Sequence, residues 1–293
     1  MKNFLNYNYN LFPDKIYHVN TEKYFFVKNY KIYVKQYEEG NIENIADISN
    51  KLFYDGVKIN TIICNKDGQY ITKLKNKNII LIRVNSIEND CIEYTDILKL
   101  KNINMKSNLK EINLLKEWTD EIDILEKELL EYNNEYLMIK ESFDYCIGCA
   151  ENAVQLYKAS AKDNEALVLG HFNCAILNMK NYLNPLNLCN IDFNYEEANY
   201  IKSKFIMNNI DYEELHNIID KNENPEKLFA CLLYPSYYFY LLKKLLSEQE
   251  NDFVQKEIMN YVTKIQNYKG FLLFLKKCFK NSKEIQLLDW INK

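Results

Sequence analysis

Glycine and proline are scarce in this chain, 6 and 4 among 293 residues, and that scarcity excludes collagen-like and linker-rich architectures. Leu, Ile, Val, Phe and Tyr recur throughout, which excludes the disordered class and leaves enough apolar side chains for a sizeable core. Long apolar runs are also missing. Leu232 to Leu246 carries two lysines and several tyrosines, and it falls short of the roughly 20 clean residues that a bilayer span needs. Met1 to Asn10 alternates Asn with Tyr, Phe and Leu, with no unbroken apolar core and no small-residue cleavage site, so no secretion signal is expected there. The expectation is an intracellular protein whose eight cysteines are free thiols, mostly buried as small apolar residues.

A surplus of positive charge is lacking as well. With 37 Lys and Arg against 41 Asp and Glu, the net charge is −4 and the pI about 5.6, which argues against a dedicated nucleic-acid binder. Arginine occurs only at Arg83, and the heavy use of Asn, Lys, Ile and Tyr suits AT-rich coding, so the 24 tyrosines carry little weight as a binding signature. Neither a Gly-x-Ser-x-Gly elbow nor a Walker-type loop is present, and esterase and P-loop readings fall with them. Cys146-Ile147-Gly148-Cys149 has the spacing of half a zinc site. Without a second Cys/His pair, and inside an amphipathic helical pattern, it reads as a pair of buried helix cysteines. His18 and His216 lack any neighbouring ligand constellation.

What is there divides into a β-rich first third and a helical remainder. Lys23 to Val27 and Lys31 to Tyr37 read as a hairpin about Lys28-Asn29. In the second strand Ile32 and Val34 face one way, and Tyr33, Lys35 and Tyr37 face the other. Asn41 to Tyr54 has helical spacing and is ended by Gly56. Asn60 to Asn65, Gln69 to Leu74 and Asn78 to Val84 follow as strands, with Lys66-Asp67-Gly68 and Lys75-Asn76-Lys77 as hairpin turns. A polar connection over Ile87 to Asn108 places a domain boundary near residue 90, giving domains 1–90 and 91–293. Leu109 to Tyr132 and Tyr136 to Ala159 read as helices, Ala166 to Phe193 as a small irregular β insert broken at Asn184-Pro185, and the chain beyond Tyr195 as helices. Pro235 should divide the apolar stretch Leu228 to Leu246.

One segment carries the chemistry. His171, Asn173 and Asn178 are followed by Ile191-Asp192-Phe193, so a His-x-Asn-(four residues)-Asn loop leads into a hairpin that ends in Ile-Asp-Phe. This layout resembles the catalytic loop of aminoglycoside-phosphotransferase-like and choline-kinase-like enzymes, with Asn173 standing where the family has its catalytic Asp. Tyr33-Val34-Lys35 resembles the strand that carries the phosphate-contacting Lys, and the helix, Gly56 and later strands follow in family order. Within that superfamily the chain looks most like the spore coat protein S group, the spore-coat-associated kinase-like proteins. That likeness rests on Tyr33-Val34-Lys35, Gly56 to Val84, Ile191-Asp192-Phe193-Asn194 and Leu232-Leu233-Tyr234-Pro235.

The resemblance implies an α+β, bilobal, protein-kinase-like fold with a β-rich N-lobe and a mainly helical C-lobe. It implies that Lys35 contacts nucleotide phosphates and pairs with an acid of the Asn41–Tyr54 helix, Glu43 or, by spacing, Asp47. It also makes His171 the loop's structural His, and Asn178 and Asp192 ligands of Mg²⁺, which prefers hard oxygen donors. A neutral amide at Asn173 accepts no proton, so general-base help is missing, a loss of about 10² to 10⁴ in rate. A further family Asp is absent from Tyr200 to Phe205, and no glycine precedes Gly40 to form a phosphate loop. The implied protein is a catalytically impaired pseudokinase serving as a structural or interaction component. Its partners would be other spore-coat proteins, with no nucleic acid and no membrane, and its place the mother-cell cytoplasm or the spore coat. ATP and Mg²⁺ are the implied cofactors, with none if the site is wholly degenerate. The alternative is a working ATP- and Mg²⁺-dependent phosphotransferase on a small hydroxylated substrate, with Asp211, Glu196 or Glu197 replacing the base.

Overall fold

Alternation of branched and aromatic residues makes the first third a sheet, and the turn residues between the runs set its register. The computed structural model describes residues 1–19, 22–38, 40–85, 91–103, 107–131, 137–161, 166–172, 174, 176–247 and 252–288. After a short helix α1 (Lys2–Tyr9), strands β1 (Ile16–Val19), β2 (Glu22–Val27) and β3 (Tyr30–Gln36) form an antiparallel meander, with Lys28 at φ +52 in the second turn. Helix α2 (Ile42–Tyr54) follows, its first turn capped by the Asn41 side chain, and Gly56 leaves it at φ +78. The sheet is completed by β4 (Thr61–Ile63), β5 (Thr72–Leu74) and β6 (Lys77–Arg83), in the order β1-β2-β3-β6-β4 with β5 also on β6.

Both faces of this sheet are covered. Ile32 and Val34 pack with Phe25, Ile79 and Leu81 beneath Leu5 and Tyr9 of α1. On the other face Ile62, Ile80 and Ile82 meet Ile42 and Ala46 of α2, with Tyr33 and Tyr37 at the margin. The Lys66-Asp67-Gly68 turn does not join two paired strands, as a hairpin there requires. β4 and β5 both lie along the same partner, β6, and residues 64–71 form an excursion between them. Asn65 organises that excursion: its Oδ1 accepts from the Asp67 and Gln69 amides, and its Nδ2 donates to Thr72. The polar connection also conceals a helix, α3 (Tyr94–Lys101), opened by a capping box between Glu93 and Asp96.

The remainder is mainly helical: α4 (Leu114–Glu131), α5 (Leu137–Ser160), α7 (Phe193–Ile206), α8 (Tyr212–Lys221), α9 (Pro225–Leu233), α10 (Ser236–Ser247), α11 (Asp252–Thr263), α12 (Ile265–Cys278) and α13 (Lys283–Gln286). Between α5 and α7, the expected insert consists of two short paired strands, β7 (Val168–His171) and β8 (Leu188–Ile191). Between these strands lies the four-residue helix α6 (Met179–Tyr182). Pro235 separates α9 from α10. Lacking an N–H, it leaves the Cys231 carbonyl without its usual helical donor. The ammonium of Lys202 on α7 supplies one at 3.0 Å and also donates to the Tyr234 carbonyl and the Ser236 hydroxyl. Leu228 to Leu233 are all fully buried, and Trp118 of α4 stacks on Tyr234.

The chain forms two compact units that do not follow a single cut near residue 90. Met1–Glu111 is joined by Val168–Cys174 and Asn178–Asn190, and the second unit comprises Ile112–Leu167, Ala175–Leu177 and Ile191–Lys293. Among the described residues, no helix is long and apolar enough to cross a membrane. All eight cysteines are free.

Candidate functional site

Lys35 stands on β3 opposite Ile80 of β6, on the face that also carries Tyr33. Its ammonium donates to Glu22 Oε1 of the adjacent strand β2 at 3.0 Å. Lys180, carried by α6, reaches the same oxygen at 2.8 Å. Burial alone would push the Glu22 carboxyl up, but the hydrogen bonds from Lys180 and Lys35 outweigh it and hold the group below the ordinary carboxylate value. Two ammonium groups thus share one carboxylate and leave one net positive charge.

These three residues border a cavity of about 310 Å³ within the first unit. Tyr33, Ile82 and Val84 give it an aromatic and aliphatic side, Met179 and Leu183 line another, and Asn60 and Asn181 add amides. The Asn60 amide donates to the Leu183 carbonyl at 3.0 Å, which fastens the α6 segment to the start of β4. A site of this size, with an aromatic and aliphatic side and paired cations, suits a small ligand that has an apolar part and an anionic part.

The expected partner of Lys35 is therefore replaced. The buried residues of α2 are Ile42, Ala46, Ile48, Ser49 and Leu52, whereas Glu43 and Asp47 are exposed. Asp47 instead accepts a long hydrogen bond of 3.4 Å from Tyr70. Glu22, which the sequence reading passed over, takes the role expected of Asp47. His171 is 1 % exposed, with its ring 4.7 Å from that of Tyr182. The Tyr182 hydroxyl donates in turn to the Asp96 carbonyl, and Asp96 is paired with Lys58 at 3.0 Å. Asn178 caps α6, its Oδ1 accepting from the Asn181 amide at 3.0 Å, and so holds the helix that carries Lys180. Asn173 lies outside the described residues.

Asp192 belongs to the second unit, where it caps α7. Its Oδ1 accepts from the Asn194 amide and from Asn194 Nδ2, both at 2.8 Å. Oδ2 accepts from the Tyr157 hydroxyl at 2.7 Å and from Lys227 Nζ at 2.9 Å. A carboxylate offers about four acceptor directions, and all four are taken. The pair is buried, with side-chain exposures of 4 % for Lys227 and 9 % for Asp192. Burial and then the charge of Asp192 push the Tyr157 phenol far above its usual value, which keeps it a donor. With its oxygens saturated and its charge already balanced, Asp192 does not fit the role of a Mg²⁺ ligand. Among the described residues, no cluster of three or more His, Cys, Asp or Glu could hold a metal ion.

The proposed substitute bases are also engaged. Asp211 caps α8, and the buried Glu197 accepts from Asn222 Nδ2 at 2.6 Å. Glu196 is fully buried in the first turn of α7. Cys146 and Cys149 are buried in α5, with burial raising both thiols, Cys149 up to about 12.

No protein-family model matches the sequence, and no curated protein matches it. Solved structures do. An aminoglycoside phosphotransferase from Alicyclobacillus acidocaldarius superposes with a TM-score of 0.60 at 11% identity, covering 94% of this chain and 95% of its own. A spectinomycin phosphotransferase, in complex with ADP and spectinomycin, gives 0.56 at 10% identity, with coverages of 90% and 92%. A choline/ethanolamine kinase family protein from Mesorhizobium loti gives 0.54 at 12% identity, with 87% of each chain covered. The fold is the α+β kinase-like fold of aminoglycoside phosphotransferases and choline kinases: an N-terminal antiparallel sheet followed by a mainly helical part.

Proposed function

We propose that this chain is a nucleotide-binding protein of the kinase-like fold in which phosphoryl transfer is impaired, and that it acts chiefly as a structural or interaction component. The observation that carries the binding half is the cavity in which Lys35 and Lys180 converge on Glu22 beside Tyr33, Ile82 and Val84. The apolar side suits a base, and the paired ammonium groups suit phosphates. Loss of transfer follows from Asn173, since an amide cannot take the proton of an attacking hydroxyl. That deficit amounts to roughly 3 to 5 kcal/mol of barrier.

The second reading is a working ATP-dependent phosphotransferase on a small hydroxylated substrate. It is favoured by the structural neighbours, which are named as kinases or phosphotransferases of small molecules, one of them bound to ADP. The finer reading of a spore-coat role, with spore-coat proteins as partners, rests on the resemblance of the sequence alone; recovery of the chain in the coat fraction of a sporulating culture would support it.

Calorimetric titration with ATP tests the binding. Micromolar affinity is expected in the wild type, weakened at least about tenfold in Lys35→Ala, and no detectable heat would overturn it. Radiolabelled phosphoryl transfer to a panel of small alcohols and aminoglycosides separates the two readings. The impaired protein should be silent, and with Asp192 already saturated Asn173→Asp should stay silent too, whereas turnover by the wild type at ordinary kinase rates would establish the second reading.

A further inference from the structure

We propose that Lys227 is a resident cation that occupies the metal-binding capacity of Asp192, so that this chain binds nucleotide without a divalent ion. The second half rests on the nucleotide reading above; the first rests only on the second unit.

The placement of Lys227 is unusual for its element. It occupies the first turn of α9, three residues after the capping Asn224, where the helix dipole disfavours a cation. It is also 3 % exposed, where an ammonium must be paired to be tolerated. Both penalties are offset by the Asp192 carboxylate at 2.9 Å, which is itself the N-cap of α7. Tyr157 reinforces the arrangement from two sides. Its hydroxyl donates to the oxygen that Lys227 holds, and its ring lies 4.8 Å from the ammonium. The remaining oxygen is closed by two donors from Asn194, whose own amide oxygen accepts from Asn222. A divalent ion at Asp192 would have to displace Lys227 and strand its charge in the interior. A local rule broken twice and satisfied by a buried ion pair marks a built feature of this chain.

Two measurements on the full chain test this. The first follows Mn²⁺ alone by electron paramagnetic resonance. The wild type should show no protein-bound ion at millimolar Mn²⁺, Lys227→Met should acquire a bound ion, and adding Asp192→Asn to that variant should remove it. Mn²⁺ bound by the wild type and lost in Asp192→Asn would overturn the assignment, as would a folded Lys227→Met that still binds none. Should Lys227→Met fail to fold, the wild-type and Asp192→Asn arms decide the matter alone. The second measurement is ATP titration in EDTA and in Mg²⁺, with affinities expected to agree within about twofold. Tenfold tighter binding in Mg²⁺ that is abolished in Asp192→Asn would overturn the metal-independent half. Absence of ATP binding in both buffers would overturn the nucleotide reading and with it that half, while the Mn²⁺ measurement still decides Lys227.

Discussion

Lys202 shows how a single buried charge can be fitted to a backbone defect. Pro235 deprives the Cys231 carbonyl of a donor, and a neutral side chain too short to reach would leave that oxygen unpaired, at about 1–3 kcal/mol. The ammonium fills the gap, and burial lowers its pKa to about 8 from the ordinary 10.5, against the smaller upward pulls of Cys231 and Glu121. The folded chain therefore holds this proton more weakly than the unfolded chain does. Between about pH 8 and 10.5 the unfolded chain binds more protons, so the contribution of Lys202 to stability rises with pH across that window. Urea unfolding of the wild type and Lys202→Met should show the wild type gaining on the variant by up to about 1.4 kcal/mol per pH unit from pH 8 upward. A difference that stays flat over that range would show that the ammonium titrates normally. The tyrosines ionise in both proteins and cancel in the comparison.

At the scale of elements, α1 seals one face of the sheet. Leu5 is fully buried against Phe25, Ile32, Val34 and Leu81, and the Tyr9 hydroxyl donates to Thr72 at 2.9 Å. Leu5→Ala should lower unfolding free energy by about 2–5 kcal/mol, measured by denaturant titration, and should increase binding of a hydrophobic dye as the face opens. Neither α1 nor β1 was legible in the sequence, because an alternating Asn and Tyr segment gives no clear helical stripe until the sheet beneath it is known. α3 escaped for a related reason: it buries only Ile97, Leu100 and Asp96, and Asp96 is tolerated there by Lys58, a partner 38 residues away. The β2–β3 hairpin, α2 with its Gly56 exit and the break at Pro235 were all visible, since each is set by residues within a few positions of one another. In the site, Lys35 was legible from strand alternation, but its partner was sought on the wrong element. Glu22 and Lys35 are equidistant from the Lys28-Asn29 turn, and a two-residue hairpin must set them across from each other. Lys180 and Lys227 left no such mark, because both reach their partners through contacts distant in sequence.

At the scale of the whole molecule, five of the eight cysteines are kept apart from solvent. Cys64 and Cys91 are exposed, Cys278 is half-buried, and Cys146, Cys149, Cys174, Cys189 and Cys231 are buried. Burial raises the thiols of Cys146, Cys149, Cys231 and Cys278 further from reactivity. Titration of the native protein with a thiol-specific chromogenic disulfide should give two fast equivalents and one slow one. The other five should appear only in denaturant, and more than three in the native state would contradict this burial pattern.

The division of the chain into its two units bears on how the cavity comes into being. Met1–Glu111 supplies Lys35 and Glu22, yet Lys180, Met179 and Leu183 arrive only with Asn178–Asn190. A ribosome that has released the whole sheet has still to make the second unit's first helices before it reaches those residues. The first unit therefore waits, open on the side where its ligand would bind, for a segment encoded far downstream. A message cut anywhere between codons 111 and 168 would yield a fragment with the lysine of the site and no pocket to hold it in.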